Sequence, residues 1–167
     1  MQSMQSAFTP LTDGERTHLL AAIDLAAGAR EHGNHPFGAL LTDPAGNVLL
    51  TAENTVLTEH DVTCHAETNL VRLATRTLTP DQLATATLYT STEPCPMCSG
   101  AIYWSGIPRV VYALAATELN VIAAADPDEP LLDLPCRQVF AAGGNTVAVS
   151  GPHLFEESAA VHEGFWA

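Results

Sequence analysis

Basic residues are scarce in this chain of 167 residues: lysine and arginine together number 6, against 19 aspartates and glutamates, for a formal net charge of −13 at pH 7. A nucleic-acid surface draws its affinity from clustered cations, so this balance argues against a phosphate backbone as partner and makes a small molecule the expected one. Also missing is any stretch near the ~18 uninterrupted apolar residues that a membrane span requires. The opening MQSMQS has no basic segment followed by an apolar run, so a soluble, cytoplasmic protein is expected. Cysteine is sparse too: four, at irregular spacing, which looks little like a disulfide framework and more like a metal or catalytic site beside incidental thiols. There is no low-complexity tract, internal repeat or linker. What is present is 47% hydrophobic content in a length that suits one core. A single domain over residues 1–167 is expected, with a mobile tail at 1–10.

The apolar pattern alternates between strand and helix character. Thr12-Asp13-Gly14-Glu15 reads as a capping box, and Leu19, Leu20, Ile23 and Ala27 as the apolar stripe of a first helix that stops near residues 28–33. Residues 38–42 and 48–53 read as strands of a hairpin around the turn residues of Asp43-Pro44-Ala45-Gly46-Asn47. A helix is expected from His65 to about Leu78 on Leu70, Leu73 and Ala74, a strand at 86–90, and a helix from Cys95 or Pro96 to Trp104. Strands at 109–114 and 146–150 and a last helix at about 154–163 complete the reading. Interleaved strands and helices predict an α/β domain of three layers, a central sheet covered on both faces.

Chemistry concentrates in two short motifs. In Pro94-Cys95-Pro96-Met97-Cys98 the first cysteine opens a helix, where unpaired N–H groups and the positive dipole end favour thiolates; this suits redox catalysis and metal binding alike. His65-Ala66-Glu67 opens the preceding helix. If the two helix starts face one another, one imidazole and two thiolates supply three ligands and leave the fourth position of a tetrahedral zinc open for water. Glu67 then lies near the metal without binding it, placed for general acid–base work. A non-catalytic zinc domain would close the site with a fourth protein ligand and has no use for Glu67; a thioredoxin-like protein would use Cys95 and Cys98 as a disulfide couple.

His65-Ala66-Glu67 followed by Pro94-Cys95-Pro96-Met97-Cys98 resembles the zinc-dependent cytidine deaminase superfamily, with its H-x-E and P-C-x-x-C signature. The likeness extends from Pro36-Phe37-Gly38-Ala39 through Asn54 to about Val111. The longer string from Glu93 through Ser99-Gly100-Ala101-Ile102-Tyr103-Trp104 is most similar to bacterial guanine deaminases. The resemblance implies a cytidine deaminase-like α/β/α sandwich around a mixed five-stranded sheet. It implies one Zn2+ per chain on His65, Cys95 and Cys98, with Glu67 as proton shuttle. It further implies Asn54 hydrogen-bonded to the substrate ring, Phe37 stacked on the base, and backbone donors at Ala66 and Cys95 on the oxyanion side. A loop carboxylate, Asp126 with Glu118 and Asp128 as alternates, would read the base's donor edge. The aromatic tail ending in Phe165 and Trp166 would cover the active site of its own or a neighbouring subunit.

The function so implied is hydrolysis of free guanine to xanthine and ammonia. The alternatives are a nucleoside (guanosine, cytidine or adenosine), free cytosine or a triazine; tRNA adenosine ranks below these. An aromatic C-terminus on an acidic surface has a motive to be buried, and a homodimer is expected. Plainer roles stand beside these: Asn54 closing a turn, Phe37 in the core, Asp126 in solvent, Cys64 as a small buried hydrophobe. Cys136 shows no partner. His18, His32, His35, His60, His153 and His162 have no spacing that demands a metal.

Overall fold

Capping chemistry fixes where the chain first becomes helical. Thr12 Oγ1 accepts the N–H of Glu15, and the Glu15 carboxylate accepts the N–H of Thr12, so two of the donors that a helix start leaves free are paired reciprocally. The computed structural model describes residues 9–167, so most of the tail expected to be mobile lies outside the described residues. Its elements run α1 (Asp13–Glu31), β1 (Gly38–Thr42), β2 (Val48–Glu53), α2 (Val56–Glu59), α3 (Ala66–Thr77), α4 (Pro80–Leu83) and β3 (Thr87–Thr92). Then follow α5 (Pro96–Ser105), β4 (Arg109–Leu114), α6 (Ala116–Ala123), α7 (Cys136–Ala141), β5 (Ala148–Ser150) and α8 (Phe155–Ala160).

The sheet has five strands in the order β2-β1-β3-β4-β5. β1 runs antiparallel to β2 and β3, with Gly38 opposite Glu53 and Ala39 opposite Thr90; β3, β4 and β5 are parallel. The sheet is therefore mixed, as anticipated. β1 is buried along its whole length, and β3 and β4 in all but their first residue, whereas β2 and β5 are the partly exposed edges.

Two apolar clusters sit on opposite faces. One joins Leu19, Ala22 and Ile23 of α1 to Leu40, Tyr89 and Val111, with Leu154 and Val161 packed on it. The other joins Leu70 and Ala74 of α3, Ile102 of α5 and Phe140 of α7 to Leu41, Leu88 and Val110. Gly38 makes the first contact close: a Cβ there would stand 2.5 Å from the Ala22 carbonyl oxygen and from the Ala26 nitrogen. Only glycine lets β1 approach α1 so nearly. No helix among the described residues is long and apolar enough to cross a membrane.

The structure shifts some expected elements. The buried stripe of α1 uses Ala22, Ala26 and Ala29 rather than Leu20 and Ala27, and Leu73 of α3 faces solvent while Val71 turns inward. β3 begins one residue later and continues through Ser91 and Thr92, so its carboxyl end feeds directly into Glu93-Pro94-Cys95. Helices α2, α4, α6 and α7 emerge where the apolar period is too short to read. The alanine-rich stretch after β4 is helical, consistent with alanine's intrinsic preference.

Candidate active site

The two motifs occupy equivalent places. His65 is the N-cap of α3 and Cys95 the N-cap of α5, both in extended conformation just before the first helical turn. The Cys95 sulfur accepts the backbone N–H of Cys98 at 3.5 Å, so a thiolate does the capping work of a serine or aspartate oxygen. Pro96 at the first helical position has no N–H to leave unpaired. Gly106, at φ +81, ends α5 in the left-handed conformation that glycine adopts without strain.

The helix starts do face each other. Nδ1 of His65 lies 3.6 Å from Cys95 Sγ and 3.5 Å from Cys98 Sγ, and the three donor atoms lie within 4.8 Å of one another. A tetrahedral zinc with bonds of ~2.3 Å to sulfur and ~2.0 Å to nitrogen sets adjacent N and S ligands about 3.5 Å apart, so spacing and donor chemistry both fit Zn2+. The set supplies three ligands, the number found in catalytic zinc sites. Hydrogen bonds from Cys98 and His65 hold the Cys95 thiol down at about 4, while the Cys95 partner and burial push Cys98 up. His65 is raised, chiefly by its contact with Cys95.

Glu67, in the first turn of α3, is buried beside this cluster. Its Oε2 lies 3.5 Å from Cys98 Sγ, and its Oε1 accepts the Thr90 hydroxyl at 2.9 Å. Burial, followed by the charge of Cys95, pushes its pKa up. Ala66, the first residue of α3, is fully buried, and its N–H belongs to the donors a helix start leaves free.

Asn54 follows β2 and is buried. Its N–H donates to the Phe37 carbonyl at 3.0 Å, and its Oδ1 accepts the N–H of Val56 at 3.0 Å, while its amide nitrogen has no partner among the described residues. It thus closes a turn and keeps a donor in reserve. Asn69 of α3 braces the segment by donating to the carbonyls of Glu53 and Cys64 and to the Thr55 hydroxyl.

Phe37 belongs to an aromatic cluster. Its ring lies 5.4 Å from His162 and 6.3 Å from Trp166, and His35 stacks on Trp166 at 5.6 Å. The Trp166 indole N–H donates to His162 Nδ1 at 3.1 Å, and Arg30 holds the tail by donating to the carbonyls of Val161 and Glu163. The tail therefore packs on its own domain. Burial, and then the charge of His65, lower the pKa of His35. His162 Nε2 is buried with no hydrogen-bond partner among the described residues.

The loop carboxylates divide. Glu118 reaches back to cap α6, accepting the Ala115 N–H at 2.8 Å. Asp126 Oδ1 accepts the N–H of Asp128 at 2.9 Å in a local turn. Asp128 is exposed. Glu129 is half-buried, its pKa raised by burial, then by Asp126, against the opposing pull of His65. It is the member of this loop whose charge also registers at His65. Sequence reasoning passed over Glu129 and Thr90: counting along the loop selected Asp126, and a threonine within a strand carries no motif. Cys64 is buried, with Arg72 at 4.0 Å from its sulfur, and all four cysteines are free thiols.

Residues 13–114 match the cytidine and deoxycytidylate deaminase zinc-binding region. The chain is 40% identical over 158 residues to a probable cytosine deaminase of Schizosaccharomyces pombe, covering 95% of this chain and 96% of that protein. It is 42% identical over 103 residues to the guanine deaminase of Bacillus subtilis, covering 61% of this chain and 65% of that one. In fold it superposes on the guanine deaminase of Nitrosomonas europaea with a TM-score of 0.75, at 22% identity and over 94% of this chain and 86% of that one. With the geometry above, the protein is a hydrolytic aminohydrolase whose cofactor is Zn2+, and the chain belongs to the zinc-binding cytidine and deoxycytidylate deaminase family.

Proposed function

We propose that the protein deaminates a free nucleobase, with guanine as substrate: guanine and water give xanthine and ammonia. The observation that carries this reading is Glu67, a buried carboxyl set against a three-donor metal cluster. His65, Cys95 and Cys98 would hold the zinc, which when bound would supply Lewis acidity to make water nucleophilic near neutral pH. Glu67 would take one proton from the attacking water and pass it to the ring nitrogen, then take the second from the hydroxyl so added and pass it to the amine, which leaves as ammonia when the C–N bond breaks and the carbonyl forms. Its raised pKa suits both halves of that transfer. The unpartnered amide nitrogen of Asn54 donates to an acceptor on the ring, and Phe37 forms the apolar wall against the base, backed by Trp166. The Ala66 N–H supports developing negative charge from the start of α3.

For the donor edge of the base we assign Glu129 ahead of Asp126 and Glu118, whose carboxylates are engaged in a local turn and a helix cap. A second reading, cytosine, is favoured by the relative that matches along 95% of the chain, and Glu129 can equally accept from a pyrimidine N–H. The acidic surface disfavours tRNA. Its place is the cytoplasm, where free thiols persist. We also infer a homodimer, on a different ground from the tail: Trp166 is already buried, whereas Trp104 is 84% and Val121 79% exposed.

Ammonia release from guanine, cytosine, guanosine, cytidine and adenosine tests the assignment. Turnover of guanine above the rest supports it; turnover of cytosine moves it to the second reading; turnover of nucleosides alone ends both. Glu129→Gln should lower kcat/KM about ten- to a hundred-fold, the effect of leaving a buried donor unpaired, and more than Asp126→Asn or Glu118→Gln.

A further inference from the structure

Thr90 sits in the middle of the sheet, 1% exposed, on the face of β3 that α3 covers. Its hydroxyl oxygen lies 2.9 Å from Glu67 Oε1 and 3.0 Å from the carbonyl oxygen of Thr92. A hydroxyl has one proton and two lone pairs. With two acceptors in reach, it donates to one of them at a time. Its contact with Glu67 Oε1 is the one that reaches the acid, and the Thr92 carbonyl is the alternative acceptor of the same hydroxyl.

We propose that Thr90 is a positioning residue that holds the Glu67 carboxyl in a single orientation beside the metal ligands. This rests on the reading of Glu67 as the proton carrier. Glu67 hangs on three rotatable bonds in a buried site. Its other oxygen faces Cys98 Sγ at 3.5 Å, a weak contact for fixing the carboxyl plane. Beside the backbone N–H of Glu67 itself, the Thr90 hydroxyl at 2.9 Å is the directional contact on this carboxyl, and the one that comes from another element. Valine, isosteric and strand-favouring, would satisfy the packing at this position equally well. The hydroxyl is thus what the packing does not require, and a buried hydroxyl is unfavourable unless it is paired.

The test is Thr90→Val and Thr90→Ser, each assayed for zinc per chain, thermal unfolding, and kcat and KM separately. A carboxyl displaced from its reacting atoms loses rate without losing substrate affinity. Thr90→Val should keep its zinc, hold KM within about twofold and lower kcat about ten- to a hundred-fold, and Thr90→Ser should recover most of that loss. On a Glu67→Gln background, where there is no proton carrier to position, Thr90→Val should lower kcat no further. A purely structural threonine would show the opposite: reduced folding or zinc content with unchanged kcat per zinc, or the same fold-loss on both backgrounds. Either result overturns the proposal. Thr90→Ala carries the same expectations if the valine variant does not fold. If Glu67→Gln itself leaves kcat intact, the role of Glu67 falls. If Glu67→Gln is impaired and Thr90→Val is fully active, only the role of Thr90 falls.

Discussion

Glu93 accepts the backbone N–H of Cys136 through Oε1 at 3.0 Å, across a separation of 43 residues, while its Oε2 accepts the N–H of Ala116 at 3.0 Å. Ala116 and Cys136 are the first residues of α6 and α7, so one carboxylate satisfies a free donor at the start of both helices. It lies two residues before Cys95. The Glu-Pro-Cys-Pro-Met-Cys string therefore binds the metal helix to both ends of the segment that carries Glu129.

From this follows a stability effect with a functional signature. Glu93→Ala leaves two N–H groups unpaired and should destabilise the fold by about 2 kcal/mol or more, lowering Tm by roughly 4–8 °C. If Glu129 reads the substrate as proposed, KM should rise more than kcat falls, because the segment that carries it loosens while the metal ligands stay. Glu93→Gln keeps one good acceptor and should lose less. Calorimetry and steady-state kinetics on both variants check this, and an unchanged Tm for Glu93→Ala would remove the stitch from the account.

The metal cluster separates binding from chemistry. Purified protein should hold about one zinc per chain, and Cys98→Ser should lose it. Glu67→Ala should retain zinc while its rate falls by ~10²- to 10⁴-fold, the usual range for a general acid–base group. Metal analysis beside ammonia release decides; a Glu67→Ala variant that loses zinc makes the glutamate a ligand.

The tail packs against Phe37 and His35, the first of them proposed to wall the substrate. Removing residues 164–167 takes away Trp166, which stacks on His35 and donates to His162, and Phe165, over which the Arg30 guanidinium lies 5.7 Å from the ring centroid. The truncated protein should keep its zinc and fold, and its KM should rise several-fold as the apolar wall opens to water. Unimpaired turnover in a folded, zinc-loaded truncation would reduce the tail to packing.

His162 gives a pH dependence with a definite sign. Burial, and then the nearby Arg30 charge, lower its pKa from 6.5 to about 4. Between those values the unfolded chain binds the proton that the folded chain refuses, so stability rises with pH there. The contribution is fully present above about 6.5 and is lost as pH falls toward 4, up to about 3 kcal/mol. His162→Gln keeps an acceptor for the Trp166 indole and removes the titration. Denaturant unfolding at pH 7.5 and pH 5 should differ less for the variant than for the parent; equal differences would exclude His162 as the source.

The sequence by itself determined the parts whose cause is local. A capping box places the start of α1, turn residues place the hairpin between β1 and β2, and the residues that bind metal stand at helix starts, where a motif of three to five residues carries both the backbone geometry and the ligand chemistry. His65, Glu67, Cys95 and Cys98 could be named because they stand in two short motifs, and the roles expected of them came from the resemblance those motifs carry. Even the glycine of Pro36-Phe37-Gly38-Ala39, first met as part of a resemblance, has a reason that appears only when α1 lies within 2.5 Å of its missing Cβ.

Tertiary structure decided what depends on residues far apart in the chain. Thr90 meets Glu67 because α3 crosses the face of β3, and nothing within β3 distinguishes that threonine from Thr87 or Thr92. Folding places Glu129 near enough to His65 for its charge to be felt there while Asp126 closes its own turn, a difference that counting from Cys98 cannot show. The aromatic tail could be expected to seek burial, since its apolar area is legible in composition. Where it is buried was settled by Arg30, 131 residues before Val161, whose guanidinium holds the tail's carbonyls against the wall formed by His35 and Phe37. Such pairings join side chains whose separation in sequence sets no spacing to read, and only packing brings them within hydrogen-bonding distance.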